Sequence, residues 1–109
     1  MKLTKSSKVV CICRGGQVRS VAARFILADR HGLRKVLACG WEKNDPETVA
    51  MLCEWADAVL VVGSASDWNL PTAKDKTVLL DIGPDRWGHY GNGELVGVLT
   101  PLIERLVSH

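Results

Sequence analysis

Four short apolar runs alternate with amphipathic segments along this chain of 109 residues. The third run, residues 58–62, reads Ala-Val-Leu-Val-Val and is apolar on both faces, as is typical of a central strand in a parallel sheet. Strand-like runs that alternate with helical patterns predict an α/β fold, here a three-layer sandwich whose four-stranded parallel sheet is flanked by helices. We expect one domain over residues 1–109, with strands at 8–13, 35–39, 58–62 and 77–81.

Three helices are predicted between and after these strands. The first covers about residues 18–31 and ends at Gly32, which suits a left-handed cap. The second begins with Asp45 as its N-cap and Pro46 at its first position, and the third covers residues 94–107. Long loops at 63–76 and 82–93 follow the third and fourth strands. Because ligands bind at the carboxyl ends of parallel strands, these loops and the residues after the first strand should meet at one edge of the sheet.

The composition argues against several classes of partner and site. The formal net charge is +2 with both signs interspersed, which gives no general reason to expect nucleic-acid or membrane binding. The four cysteines fall inside apolar runs and no signal peptide precedes them, so we expect reduced thiols in a cytoplasmic protein. Cys11-x-Cys13 lacks two further ligands, and His31, His89 and His109 lack ligand spacing. Neither a metal nor another cofactor is therefore predicted.

Residues 13–20 carry the most specific chemical signal. They read Cys13-Arg14-Gly15-Gly16-Gln17-Val18-Arg19-Ser20 and lie where the first strand ends and the first helix begins. The bare spacing of cysteine and arginine is a weak signal, because four cysteines and seven arginines produce it readily by chance. The strand before it, the paired glycines within it and the helix after it make the match specific. The pattern predicts a loop that cradles phosphate above a thiol nucleophile.

Each part of this loop suits that chemistry. The backbone N–H groups of residues 14–20 can curl around a small anion, and the helix dipole adds positive potential. Arg19 can bind two phosphoryl oxygens at once through its planar guanidinium. The same positive surroundings favour the thiolate of Cys13, and Ser20 can donate a hydrogen bond to it. The alternative is a buried structural cysteine that ends a strand before a glycine-rich turn.

The chain resembles the low-molecular-weight protein tyrosine phosphatase family, whose loop reads Cys-x-Gly-Asn-x-Cys-Arg-Ser. Cys13, Gly15, Arg19 and Ser20 match that pattern, and the order of elements extends the resemblance over most of the chain. Gly16 replaces the Asn, and Val18 replaces the second Cys, the thiol that the resembling enzymes can use as a disulfide guard. The resemblance implies a cysteine-dependent phosphatase that hydrolyses phosphotyrosine or other aryl phosphate monoesters through a phosphocysteine intermediate. A phosphotyrosine-containing protein or a small aryl phosphate would be its substrate, and inorganic phosphate or another oxyanion would bind in the loop.

The resemblance also implies a general acid on a loop after the fourth strand, where related enzymes carry an Asp-Pro-aromatic run. Asp85 lies in the middle of that loop and is the preferred acid. Asp81 ends the strand, and we expect it to anchor the loop through backbone hydrogen bonds, although it remains the alternative acid.

Aromatic residues in the predicted loops are candidates for the substrate rim. Trp87 and Tyr90 could form one wall of a slot for a phosphotyrosine ring, with Trp41 opposite, or these rings could simply cover loop backbone. Trp68 falls in another predicted loop, where a large ring can also line a pocket. The side chain of Arg14 either contacts the peptide around the phosphorylated residue or is a solvated surface group.

Other uses of the same architecture stay open. One is an arsenate reductase-like enzyme, which needs resolving thiols, whereas Cys39 and Cys53 are predicted to be buried. Another is a sugar-transport phosphocarrier, whose relatives generally lack the loop arginine found here as Arg19. The last is a non-catalytic module that binds phosphate or phosphopeptides.

Overall fold

A four-stranded, entirely parallel sheet forms the centre of the protein, in the order β2-β1-β3-β4. The computed structural model describes residues 2–64 and 74–107, so Trp68, His109 and most of the predicted loop at 63–76 lie outside the described residues. All four predicted strands are confirmed, and β2 and β3 each extend one residue further than predicted. The strands are β1 (Lys8–Cys13), β2 (Lys35–Gly40), β3 (Ala58–Gly63) and β4 (Thr77–Asp81).

Strand β1 is buried on both faces and paired on both edges. It runs beside β2 from the pair Lys8 and Lys35 to the pair Cys13 and Gly40, and beside β3 over residues 9–12. Val9 and Cys11 belong to one apolar core, whereas Val10 and Ile12 belong to the other. This alternation follows from the two-residue period of a strand, and it places Cys13 at the carboxyl end of the most enclosed strand.

The helices cover both faces of the sheet and complete the predicted three layers. They are α1 (Arg19–Phe25), which continues as a π-helical segment (Ile26–Arg30), α2 (Pro46–Trp55) and α3 (Gly93–Glu104). Helices α1 and α3 pack on one face and α2 packs on the other. In the described part of the chain, no helix has the length and apolar character needed to cross a membrane.

The observed ends of the helices agree only in part with the sequence prediction. Gly32 has φ of +71° at the end of the first helix, as predicted. Asp45 occupies the N-cap position of α2 as predicted, but its side chain makes no capping hydrogen bond. Helix α3 ends at Glu104 rather than at the predicted Val107, because the chain turns there and Val107 forms a parallel bridge with Leu3.

The N-terminus of α3 ties the helix to the long loop that follows β4. The Asn92 side chain accepts hydrogen bonds from the backbone N–H groups of Glu94 (2.9 Å) and Leu95 (3.2 Å). Its amide nitrogen also donates to the backbone carbonyl of Trp87 at 3.0 Å. A side-chain cap of this kind satisfies N–H groups that have no partner within the helix. One side chain thus holds both the helix and the end of the loop in which the general acid is predicted.

Candidate active site

The loop after β1 lies directly against the end of β2, backbone on backbone. A Cβ atom at Gly40 would be 2.4 Å from the carbonyl carbon of Gly15, and one at Gly16 would be 2.4 Å from the nitrogen of Gly40. Gly16 also has φ of +70°, a conformation in which side chains are strained. Sequence reasoning missed Gly40, although its position just after the predicted second strand could have signalled a close approach. The two glycines together allow the loop to turn back over the edge of the sheet.

Within this loop, Cys13 lies at the floor, and the residue is only 2% exposed. The backbone N–H of Gly16 donates to Cys13 Sγ at 3.2 Å. The hydroxyl oxygen of Ser20, which is fully buried at the start of α1, lies 3.2 Å from the same sulfur. A thiol donates its proton to that oxygen, whereas a thiolate accepts a hydrogen bond from the hydroxyl. The structure therefore brings together the predicted nucleophile and two groups that can donate to its anion.

Arg19 is buried at 2% exposure and joins the loop to the segment after β4. Its Nη1 donates to the backbone carbonyl of Gly83 at 3.0 Å. The N–H groups of Ile82 (2.8 Å) and Gly83 (3.1 Å) in turn donate to the carbonyl of Gly63 at the end of β3. A guanidinium has five N–H donors, of which the bond to Gly83 uses one. Sequence reasoning missed Gly83 as a partner of Arg19, because its part in the contact is a backbone carbonyl and carries no sequence signal.

The other three cysteines lack the surroundings of a nucleophile. All are buried free thiols, Cys11 in the core beneath α1 and α3, and Cys39 and Cys53 in the core beneath α2. Burial raises the pKa of Cys39 to about 12 and also raises the pKa of Cys11 and Cys53. At neutral pH these thiols are protonated, and only the thiolate form is a strong nucleophile.

The two candidate acids differ in their local contacts. Asp85 is exposed in the loop after β4, and its Oδ1 accepts a hydrogen bond from the backbone N–H of Trp87 at 3.3 Å. Asp81 is exposed at the end of β4, and its carboxylate makes no hydrogen bond to any residue that the structure describes. The carboxylate of Asp81 therefore does not anchor the loop within the described residues. The backbone does so, since Asp81 pairs with Gly63 and the N–H groups of Ile82 and Gly83 donate to the Gly63 carbonyl.

The three predicted rim aromatics occupy different environments. Trp87 is 5% exposed and packs in the core with α1 and α3, with the guanidinium carbon of Arg86 4.2 Å from its ring centre. Its predicted place in the wall of a slot has no support from this position, because the loop folds the ring back beneath α3. Tyr90 is 38% exposed and stacks on Phe25, with ring centres 5.1 Å apart. These two rings border a groove of about 240 Å³ between α1 and α3.

Trp41 lies directly beside the loop. Its backbone N–H donates to the carbonyl of Cys13 at 3.1 Å, and its half-buried ring packs against the core beneath α2. Glu42 donates its N–H to the carbonyl of Arg14 at 3.0 Å and forms an ion pair with the Arg14 side chain. Arg14 lies with its guanidinium carbon 5.7 Å from the Trp41 ring centre. Sequence reasoning did not identify Glu42, which becomes a neighbour of the loop only through the pairing of β1 with β2.

No group of three or more histidine, cysteine or acidic side chains among residues 2–64 and 74–107 is arranged to hold a metal ion. The Gly16 N–H and the Ser20 hydroxyl each lie 3.2 Å from the Cys13 sulfur, and the buried Arg19 lies in the same loop. Hydrogen-bond donors and a positive charge in one loop are groups that suit phosphate or a similar oxyanion.

Comparison with known proteins identifies the fold. No protein-family model and no curated protein matches the sequence. Two solved structures of bacterial enzymes share its architecture. The tyrosine phosphatase Wzb from Escherichia coli K30, solved in complex with phosphate, has a TM-score of 0.68 and 18% sequence identity, covering 92% of this chain and 95% of that one. The tyrosine phosphatase AmsI from Erwinia amylovora has a TM-score of 0.64 and 14% identity, covering 94% of this chain and 95% of that one.

These neighbours define the class of the fold, which is an α/β sandwich of the tyrosine phosphatase type. The resemblance to low-molecular-weight protein tyrosine phosphatases is thereby confirmed at the level of the fold.

The close backbone contact of Gly40 with the loop at Gly15 and Gly16 should make stability sensitive to a side chain at position 40. We expect Gly40→Ala to lower the free energy of unfolding by about 1–3 kcal/mol, because its Cβ meets backbone that cannot rotate away. Gly15→Ala is the matched control, since a Cβ there meets nothing within 4 Å. We expect it to change stability by less than about 0.5 kcal/mol. Urea unfolding followed by circular dichroism measures the free energy of unfolding of both variants. Equal values for the two would contradict the close packing of Gly40 against the loop.

Proposed function

We propose that this protein is a cysteine-dependent phosphatase that hydrolyses phosphotyrosine and other aryl phosphate monoesters through a phosphocysteine intermediate. The observation that carries the proposal is the loop itself, in which Gly16 N–H and Ser20 Oγ each lie 3.2 Å from the Cys13 sulfur. The buried Arg19 at the start of α1 adds a fixed positive charge to the same loop. The shared fold of two tyrosine phosphatases, one of them solved with phosphate, supports the same chemistry.

The first step transfers the phosphoryl group to the enzyme. The Cys13 thiolate attacks phosphorus, a phosphorus–sulfur bond forms, and the bond from phosphorus to the phenolic oxygen breaks. Backbone N–H groups of the loop and Arg19 stabilise the charge on the phosphoryl oxygens as the transfer proceeds. A carboxylic acid donates a proton to the leaving phenolate, so that a phenol departs.

The second step releases phosphate. The carboxylate left by the first step accepts a proton from water, which attacks phosphorus and forms a new phosphorus–oxygen bond. The phosphorus–sulfur bond then breaks and returns Cys13 to its thiolate. Ser20 stabilises that leaving thiolate by donating a hydrogen bond from its hydroxyl across the 3.2 Å contact.

We assign the general acid to Asp85. Its loop is held at both ends: Gly83 is bonded to Arg19, and Asn92 is bonded to Trp87 and to the start of α3. The side chain itself is exposed and is therefore open to a bound substrate. The bond from Arg19 connects the loop that carries Asp85 to the loop that carries Cys13, which supports a shared role.

The cysteine environments argue against an arsenate reductase. Such an enzyme needs further thiols that can attack and resolve an oxidised intermediate. Cys39 and Cys53 are buried in the core beneath α2, and burial raises the pKa of both. Arg19 argues against a phosphocarrier, since it supplies the charge that stabilises transfer to water.

The purified protein should hydrolyse p-nitrophenyl phosphate, and vanadate should inhibit it by occupying the loop. Cys13→Ser should abolish turnover, because a hydroxyl at that position is a far weaker nucleophile than a thiolate. Cys53→Ala removes a buried thiol on α2 and should retain activity. The rate of p-nitrophenol release measures the activity of the wild type and of both variants. If the wild type binds vanadate but hydrolyses no substrate, the proposed phosphatase activity is contradicted, and a non-catalytic phosphate-binding module is favoured.

The acid assignment has its own test. Asp85→Asn should lower kcat for a phosphotyrosine peptide by about 100-fold, as expected when a general acid is removed. It should affect p-nitrophenyl phosphate much less, because nitrophenolate leaves readily without a proton. Asp81→Asn is the matched control, since it removes an exposed carboxylate from the same segment. If Asp81→Asn shows the selective loss and Asp85→Asn does not, the assignment of the acid is wrong.

A further inference from the structure

Arg14 directly follows the nucleophile Cys13 in the chain and adds a second positive charge to this loop. Its side chain is 62% exposed and forms an ion pair with Glu42, whose side chain is 45% exposed. The guanidinium carbon lies 5.7 Å from the centre of the Trp41 ring. The charged end of Arg14 is therefore in solvent at the side of the loop, whereas Arg19 is buried at the loop itself.

The backbone fixes where this arginine can act. Trp41 N–H donates to the carbonyl of Cys13 at 3.1 Å, and Glu42 N–H donates to the carbonyl of Arg14 at 3.0 Å. These two bonds continue the pairing of β1 with β2 beyond its last pair, Cys13 and Gly40. The roots of Arg14 and Glu42 are thus held side by side at the end of the sheet, while their charged ends are exposed.

The ion pair between them is easily replaced. Exposed pairs of this kind contribute little to stability, because water screens them and both long side chains lose freedom. Arginine binds a carboxylate through two parallel hydrogen bonds, so a carboxylate from a bound molecule can take the place of Glu42 at little cost. Neighbouring Cα atoms of a peptide are about 3.8 Å apart, so a residue next to a bound phosphotyrosine stays close to the rim of the loop, where the exposed Arg14 side chain is available to it.

We propose that Arg14 forms a second anion subsite, which binds the carboxylate of an Asp or Glu residue next to the phosphotyrosine of a protein substrate. This inference rests on the proposed function. Glu42 holds Arg14 when no acidic residue is present, and it competes with the substrate carboxylate. Arg14 thereby favours acidic phosphotyrosine sequences over neutral ones without touching the reacting atoms, and Glu42 moderates that preference.

A second basic surface on the protein supplies the control. Lys5, Arg34 and Lys35 line a groove of about 360 Å³ where β1 and β2 begin. Since six-residue strands separate the two ends of the sheet by about 16 Å, this groove is too far from Cys13 to select the residue next to a bound phosphotyrosine. Arg34→Gln thus removes the same charge as Arg14→Gln from an exposed position away from the site.

The experiment compares kcat/KM for two phosphotyrosine peptides that differ only in having Glu or Gln beside the phosphotyrosine. The wild type should prefer the acidic peptide by about threefold to tenfold. The preference should fall to about one in Arg14→Gln, rise further in Glu42→Gln, and stay at the wild-type value in Arg34→Gln. Each variant is judged by the ratio of its kcat/KM values for the two peptides. A loss of activity that affects both peptides equally leaves this ratio unchanged.

The outcomes separate this inference from the proposed function. Hydrolysis of p-nitrophenyl phosphate without any preference between the peptides would overturn the subsite and leave the phosphatase intact. A preference that survives in Arg14→Gln, or that disappears in Arg34→Gln, would overturn it as well. If no substrate is hydrolysed, the proposed function fails, and the subsite is then tested by binding. The Cys13→Ser protein should bind a fluorescein-labelled acidic peptide more tightly than the neutral one, and equal affinities would overturn the subsite.

Discussion

Strand β1 is paired on both edges and buried on both faces, so its last residue is fixed by the whole sheet. Cys13 is that residue, and the chain turns immediately afterwards over the end of β2. The turn is possible because Gly16 and Gly40 have no side chains to separate their backbones. The position of the sulfur relative to Gly16 N–H and Ser20 Oγ thus follows from strand pairing and from one close backbone contact.

The same contact accounts for a departure from the loop of the resembling phosphatases. The Cβ of an Asn at position 16 would lie 2.4 Å from the Gly40 nitrogen. The close approach of the loop to Gly40 therefore requires a glycine at position 16. Val18 replaces the second cysteine of that loop, and its half-buried side chain packs against the core beneath α1 and α3. The remaining thiols are in the cores, and burial raises their pKa. Among the four cysteines, which all lie in the described residues, Cys13 therefore differs in having its sulfur within 3.2 Å of the Gly16 N–H and the Ser20 hydroxyl.

The elements that were predictable from sequence are those with local signals. The apolar runs predicted every strand to within a residue, because central parallel strands are buried on both sides. Contacts that depend on strand register could not be predicted from the sequence. The bond from Arg19 to Gly83 and the pairing of Arg14 with Glu42 are examples, since each joins positions far apart in the chain. Trp87 shows the limit most clearly, since its place in a loop gave no sign that the ring would turn back into the core. Loops lack the periodicity that reveals which way a side chain faces.

A phosphocysteine on Cys13 can be trapped during turnover. The wild-type protein, quenched rapidly during turnover of p-nitrophenyl phosphate, is digested and its peptides are analysed by mass spectrometry. We expect one phosphorylated peptide, modified on the sulfur of Cys13, and no such peptide from Cys13→Ser treated in the same way. Turnover with no phosphorylated peptide, or with phosphate on Ser20 or on another cysteine, would contradict a phosphocysteine on Cys13.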